Sequence, residues 1–185
     1  MFDHFGLAAP FYESFIHPGV PEKTLEQLSI PAGAFVLDAG GGTGRVAQFL
    51  RGQAAQVVVV DQSFKMLREA HKKEGLNTAC SDTERMPFRD NIFDRILMLD
   101  ALHHVVNQLE TINELCRILA PGGRIVIEEP DIRAFGVKLL ALAEKLALMR
   151  SHFLSPHQIA SLVDPGRARV KIVAEDSTAW VIINK

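Results

Sequence analysis

Along most of the chain, short unbroken apolar runs alternate with amphipathic stretches. The clearest run is Val57-Val58-Val59-Val60, closed by Asp61, and a β-branched run without polar alternation implies a strand covered on both faces, as in a parallel sheet. Similar runs predict strands at Ala34 to Asp38, Leu76 to Cys80, Phe93 to Leu99 before Asp100, and Arg124 to Glu128. Helices are expected between them. One covers Pro21 to Ile30, and one of about ten residues after a glycine turn carries Val46, Ala47, Phe49 and Leu50. A third is capped by Ser63 and carries Met66, Leu67 and Ala70; a fourth is faced by Leu109, Ile112, Leu115, Cys116 and Leu119 and stopped by Pro121-Gly122-Gly123. An apolar helix from Ala134 to Met149 and a short piece near Pro156 to Leu162 follow. The final strands, Arg169 to Ala174 and Thr178 to Ile183, are joined by Glu175-Asp176-Ser177, a connection so short that they must run antiparallel. The pattern predicts an α/β fold: a Rossmann-like, open twisted sheet of seven strands, mostly parallel with one antiparallel strand near the C-terminal edge, and helices on both faces.

The 185 residues suit one domain, with 1–30 as a helical, aromatic cap over the site, 34–130 as a cofactor-binding core, and 131–185 as helices and a hairpin. In the first segment Phe2, Phe5, Phe11, Tyr12 and Phe15 are too many aromatics for a disordered tail. They are expected to pack on the end of the sheet, to cover a ligand, or both. With 20 basic and 22 acidic residues the net charge is -2, which gives no electrostatic reason to bind nucleic acid. Cys80 and Cys116 have no metal-like or redox-like spacing, so no metal is expected, and the compartment reads as reducing. No secretory signal is visible at the start, making a cytoplasmic location the default. The stretch from Ala134 to Met149 is too short, and too interrupted by Lys138, Glu144 and Lys145, for a membrane span. Being apolar on nearly all sides, it could meet a second copy in a homodimer, a greasy substrate, or only the core.

The chemistry-bearing residues cluster at strand ends. Asp38, Asp61, Asp82, Asp100, Glu129 and Asp131 all stand at or after the carboxyl ends of predicted strands, where open parallel sheets bind ligands. Each also has a plain structural reading as a turn or capping carboxylate. Asp38 opens the turn Ala39-Gly40-Gly41-Gly42-Thr43-Gly44, whose glycines let backbone approach a nucleotide-like ligand. A carboxylate there would repel a pyrophosphate yet suit a cofactor with an ammonium and a sulfonium, which points to S-adenosylmethionine. Asp61, 17 residues after Gly44, can accept from a ribose diol, a feature shared with NAD. A dinucleotide fingerprint fits poorly: starting from Gly40, its third glycine is replaced by Arg45, and starting from Gly42 it forces glycines into the strand.

Taken in order, Val36 to Gly44, Asp61-Gln62-Ser63, Ser81-Asp82-Thr83-Glu84-Arg85-Met86-Pro87-Phe88, Phe93-Asp94-Arg95 through Ala101-Leu102-His103-His104-Val105, and Arg117 to Gly123 resemble the class I S-adenosylmethionine-dependent methyltransferases. They are most similar to the small-molecule branch that includes the ubiquinone and menaquinone biosynthetic enzymes. The resemblance implies methyl transfer to a small-molecule acceptor, with S-adenosylhomocysteine as product. It places Asp38, Ala39, Gly40 and Gly42, within the turn that runs on through Thr43 and Gly44, at the methionine end of the cofactor, Asp61 at the ribose and Gln62 beside the adenine. Asp82 would meet the adenine amino group, the Thr83 backbone the ring, and Asp100 and Ala101 the methionine portion and substrate opening. Should the acceptor need deprotonating, His103 or His104 is the best placed base, ahead of Tyr12 and Glu129. A cofactor-binding protein without catalysis remains an alternative, and a nicotinamide-dependent oxidoreductase a more distant one.

Overall fold

The structure, a computed structural model, describes residues 21–146 and 151–185. In chain order its elements are α1 (Glu22–Leu28), β1 (Phe35–Ala39), β2 (Gln56–Asp61), α2 (Phe64–His71), β3 (Leu76–Cys80), β4 (Phe93–Leu99), α3 (Gln108–Ile118), β5 (Leu119–Pro130), α4 (Phe135–Leu146), α5 (Pro156–Ser161), β6 (Arg169–Glu175) and β7 (Thr178–Asn184). The strands form one seven-stranded sheet in the order β3-β2-β1-β4-β5-β7-β6. All neighbours among the first five strands are parallel, whereas β7 is antiparallel to both β5 and β6. The expected single reversed strand is therefore β7, one place in from the edge, and its two-residue turn from β6 places Asp176 at a φ of 52°.

Alternate residues of the strands feed two apolar layers. Leu37, Val58, Ile96 and Ile125 pack with Ile112 and Leu115 of α3 and Ile159 of α5 on one face. Val36, Val57, Val59 and Leu97 pack with Leu28 of α1 and with Leu67 and Ala70 of α2 on the other. This double cover is why the valine run of β2 shows no polar alternation. Polar contacts fix α1 to the sheet. Arg95 Nε donates to the carbonyls of Leu28 and Ser29, both at 2.9 Å, and Trp180 Nε1 donates to Thr24 Oγ1 and Glu128 Oε2 at 3.0 and 2.9 Å.

Two elements differ from the sequence pattern. The ten-residue helix after the glycine turn is a single 3-10 turn, Ala47–Phe49. Val46, Ala47 and Leu50 are buried as their spacing predicts, but Gly52, at a φ of 79°, turns the chain back toward β2 before a second helical turn can form. Strand β5 begins earlier than Arg124. Leu119 is already extended, and the ladder to β4 jumps from Phe93 opposite Leu119 to Arg95 opposite Arg124, so Pro121-Gly122-Gly123 forms an irregularity inside the strand. The Gly122 amide is satisfied there by the Lys185 carbonyl at 2.9 Å. Leu109, expected on the apolar face of α3, is 48% exposed. The aromatics Phe2, Phe5, Phe11, Tyr12 and Phe15, and residues 147–149 of the apolar helix, lie outside the described residues. No helix among the described residues is long and apolar enough to cross a membrane.

Ile96 is fully buried between Leu37 of β1 and Ile125 of β5, in the middle of the parallel ladder. Ile96→Ala should cost about 2–5 kcal/mol through lost transfer energy and the cavity left behind. Urea unfolding should show a lower midpoint at unchanged slope; a loss below about 1 kcal/mol would contradict the packing.

Candidate active site

Strand order reverses between β1 and β4, and the glycine turn leaves β1 at that point. The turn folds onto the end of β2. The amides of Gly40 and Gly41 both donate to the Val60 carbonyl, at 2.8 and 3.1 Å, and Gly44 N donates to the Gly41 carbonyl at 2.9 Å. Gly42 N donates to Asp61 Oδ2 at 2.9 Å, with Gly42 at a φ of 55°. An anion cradle needs amides that point outward, and these four are already committed to acceptors within the protein. At Gly41 a Cβ would stand 2.5 Å from the Asp38 carboxyl and 2.9 Å from Val59 Cγ1, so only glycine fits against that acid. The turn is thus a cover laid over a carboxylate, not a phosphate cradle.

Asp38 is 2% exposed, and its Oδ2 receives no hydrogen bond from any described residue. Burial first, and then the nearby charge of Asp61, raise its pKa to about 7, while the charge of Arg45 and the Ala47 amide pull the other way. Asp61 bridges two elements. Its Oδ1 accepts from Ser63 N at 2.8 Å while Oδ2 holds Gly42, which locks the turn to the start of α2, where Ser63 caps the helix. Asp100 sits past β4 at a φ of 50°, its amide bound to the Glu128 carbonyl at 3.0 Å. Solvent reaches its side chain, yet protein walls surround it, and this partial desolvation, followed by the Glu129 and Glu128 carboxylates, raises its pKa to about 6. Asp82 and Gln62 are exposed, on the loops after β3 and β2.

The remaining acids behave differently. Glu129 is buried; its Oε1 accepts from the amides of Ala101 and Leu102 at 3.1 and 2.8 Å, and its Oε2 meets His103 Nδ1 at 2.5 Å. It ties the segment after β4 to β5. Asp131 is held by Arg133, which donates from Nη2 at 2.6 Å, and this guanidinium keeps its carboxyl below the usual range. His103 is buried, stacked on Phe153 with ring centres 4.3 Å apart. The His104 ring lies 3.9 Å from that of His103, with Nδ1 3.2 Å from Ser151 Oγ. Burial, then the neighbouring His103, lower the pKa of His104 to about 3, so it stays neutral and accepts protons poorly. Tyr12 lies outside the described residues.

Sequence reasoning left two features near the site unassigned. Glu114 and Arg117 of α3 hold the loop after β3: Glu114 Oε1 accepts from Met86 N at 2.6 Å, and Arg117 Nη2 donates to the carbonyls of Met86 and Phe88 at 3.3 and 2.9 Å. That loop carries Asp82 and buried Thr83, whose Oγ1 lies 3.4 Å from Thr111 Oγ1. The spacing of three between Glu114 and Arg117 is that of an ordinary helical ion pair, so nothing in the sequence assigned either residue this role, although Arg117 opens one of the resembling blocks. The other is Arg45, noted only as a residue that spoils a glycine fingerprint. It is half-buried, and its charge acts on both Asp38 and Asp100.

Residues 37–127, which run from β1 through most of β5 and include the glycine turn, match the family model described as a methyltransferase domain. Over these residues the chain resembles the class I S-adenosylmethionine-dependent methyltransferases. A curated member of the family, the ubiquinone/menaquinone biosynthesis C-methyltransferase UbiE of Coxiella burnetii, is 31% identical over 124 residues, covering 62% of this chain and 50% of that protein. The chain therefore spans about half the length of that relative. Among solved structures, a chain of a Haloferax volcanii complex containing the Trm112 methyltransferase activator superimposes with a TM-score of 0.84 at 17% identity, covering 100% of this chain and 98% of that one. An S-adenosylmethionine-dependent methyltransferase from Thermotoga maritima, TM1293, gives 0.79 at 19% identity, covering 98% and 97%. At such identities the superpositions show the fold.

Asp38 makes stability depend on pH with a definite sign. The unfolded chain releases its proton near 3.8 and the folded chain near 7, so the folded state holds the extra proton between those values. The group favours folding below the lower value, and about 4 kcal/mol of that is lost as the pH rises to the upper one. Asp38→Asn keeps the shape and removes the titration. Urea unfolding from about pH 5 to about pH 8 should therefore show the wild type losing stability relative to the variant. Parallel pH profiles would mean that the acid is not buried.

Proposed function

We propose that this chain binds S-adenosylmethionine between the glycine turn and the ends of β2 and β4, and directs its methyl group to a small-molecule acceptor. The committed turn amides over the buried Asp38, whose Oδ2 receives no hydrogen bond from a described residue, support this most directly, because they suit a cationic ligand and leave no cradle for a diphosphate. The same feature disfavours a nicotinamide dinucleotide. The match to the methyltransferase domain model and the likeness to UbiE support the acceptor class.

The bound cofactor supplies an activated methyl group, so the protein's work is to orient, to exclude water and to place a proton. Asp100 receives the positively charged amino acid end, with the charge of Asp38 acting on it from beneath the turn. Asp61, at the end of β2, takes the ribose hydroxyls, and the loop of Gln62, Asp82 and Thr83 borders the adenine. Where the acceptor must lose a proton, the role falls to His103, because Glu129 orients its Nδ1, whereas His104 is held neutral at low basicity. The test is methyl transfer to a panel of phenols, quinols, amines and thiols, followed by release of S-adenosylhomocysteine. Binding of the cofactor with no turnover on any acceptor would favour the reading as a cofactor-binding partner without catalysis.

Asp61→Ala removes the ribose acceptor and leaves the Gly42 and Ser63 amides without their carboxylate. With hydrogen bonds to a charged group at about 1.5–3 kcal/mol each, affinity for S-adenosylhomocysteine should fall at least about tenfold by calorimetry. Unchanged affinity would place the ribose elsewhere.

A further inference from the structure

The loop after β3, which carries Asp82 and Thr83, is fastened along α3. Glu84 Oε1 accepts from the amide of Asn107, the N-cap of α3, at 2.7 Å. Thr83 Oγ1 lies 3.4 Å from Thr111 Oγ1, and further along the helix Glu114 Oε1 accepts from Met86 N while Arg117 Nη2 donates to the Phe88 carbonyl. Asn107, Thr111, Glu114 and Arg117 follow one another at spacings of four, three and three, so they share one face of the helix. The same helix end also holds the segment after β4. Gln108, the first residue of α3, donates from Nε2 to the carbonyls of Leu102 and His152 at 3.0 and 2.7 Å. His152 N in turn donates to the His103 carbonyl at 2.7 Å. A chain of polar contacts thus runs from Glu84, across Asn107 and Gln108, to the backbone that carries His103. Its first link is well placed, because a carboxylate at a helix N-terminus is favoured by the amides that lack helical partners and by the helix dipole.

We infer that α3 couples the two halves of the site, with Glu84 and Gln108 as its positioning residues: a nucleoside seated on the loop after β3 orders that loop, and these two side chains carry the order to the segment that holds His103. This rests on the cofactor reading and extends it from binding to control of the acceptor side. Each residue acts through the backbone it holds. By linkage the effect is reciprocal, so an acceptor that settles the His103 segment also tightens cofactor binding.

The test is amide hydrogen exchange, resolved by residue, with and without saturating S-adenosylhomocysteine. One readout is Arg85, whose amide donates to the Asp82 carbonyl within the loop; the others are His104, Val105 and His152, whose amides donate to the carbonyls of Ala101, Leu102 and His103. In the wild type the ligand should slow exchange at all four, and at the last three by at least about twofold, the lower end of coupling between sites. Glu84→Ala breaks the chain on the loop's side, and Gln108→Met breaks it on the other. In both variants the ligand should still protect Arg85, while its effect at His104, Val105 and His152 falls toward a ratio of about one. Glu84→Gln keeps an acceptor oxygen and should recover part of that effect. A role confined to stability would change exchange equally with and without ligand and leave the ratio at its wild-type value. Circular dichroism confirms which variants fold; should one of the two fail, the other carries the test. A wild-type ratio at those three amides in either folded variant, or no protection of them in the wild type although the ligand binds, would overturn the coupling and leave the cofactor reading intact. If the wild type does not bind the ligand, the cofactor reading fails and the coupling with it.

Discussion

A carboxyl group sealed under a turn of glycines, with one oxygen that no described residue donates to, sets the conditions for the rest of the site. Burying such a group costs free energy, and keeping it charged costs more, so the fold holds Asp38 at the edge of ionisation. The two apolar layers on either face of the sheet offset that cost. They also make the acid immovable, because the strand that carries it is hydrogen-bonded on both sides, to β2 and to β4. A positively charged ligand is the species that relieves this arrangement, and an anionic one would aggravate it.

Around that acid the tertiary structure sorts the other carboxylates by what they already bind. Glu129 spends its oxygens on two amides and a histidine, and Asp131 on an arginine, so both serve the scaffold. Asp61 holds the turn to α2 through the Gly42 and Ser63 amides. Asp38 and Asp100 hold their protons unusually tightly, because burial and like charge both oppose ionisation and Arg45 only partly compensates. The histidines divide in the same way. His103 gains an acidic partner and an aromatic stack, whereas His104 is left neutral beside it.

Much of this was legible in the chain. Unbroken valines declared a strand buried on both faces, the three-residue link before Thr178 forced the antiparallel pair, and acids at strand ends marked one edge of the sheet as the chemical one. Less visible were lengths that depend on the return path. The apolar spacing of Val46, Ala47 and Leu50 is helical, but it carries no information about how soon Gly52 must reverse the chain. Pro121-Gly122-Gly123 reads as a stop signal, and only the neighbouring ends of β7 and β4 make it a bulge within a strand.

What the sequence determined by itself is therefore the periodicity: which segments are strands or helices, which face of each is apolar, and which polar residues fall at their ends. These follow from local geometry, since a side chain's direction along a strand or helix repeats with a fixed period. Partnership was decided by the fold alone. Whether Asp38 is satisfied, whether Glu129 is bound by amides or by a ligand, and that the charge of Arg45 reaches acids at the ends of two strands all depend on residues far apart in the chain. Charge acts through space and burial, and neither quantity exists until the sheet has closed.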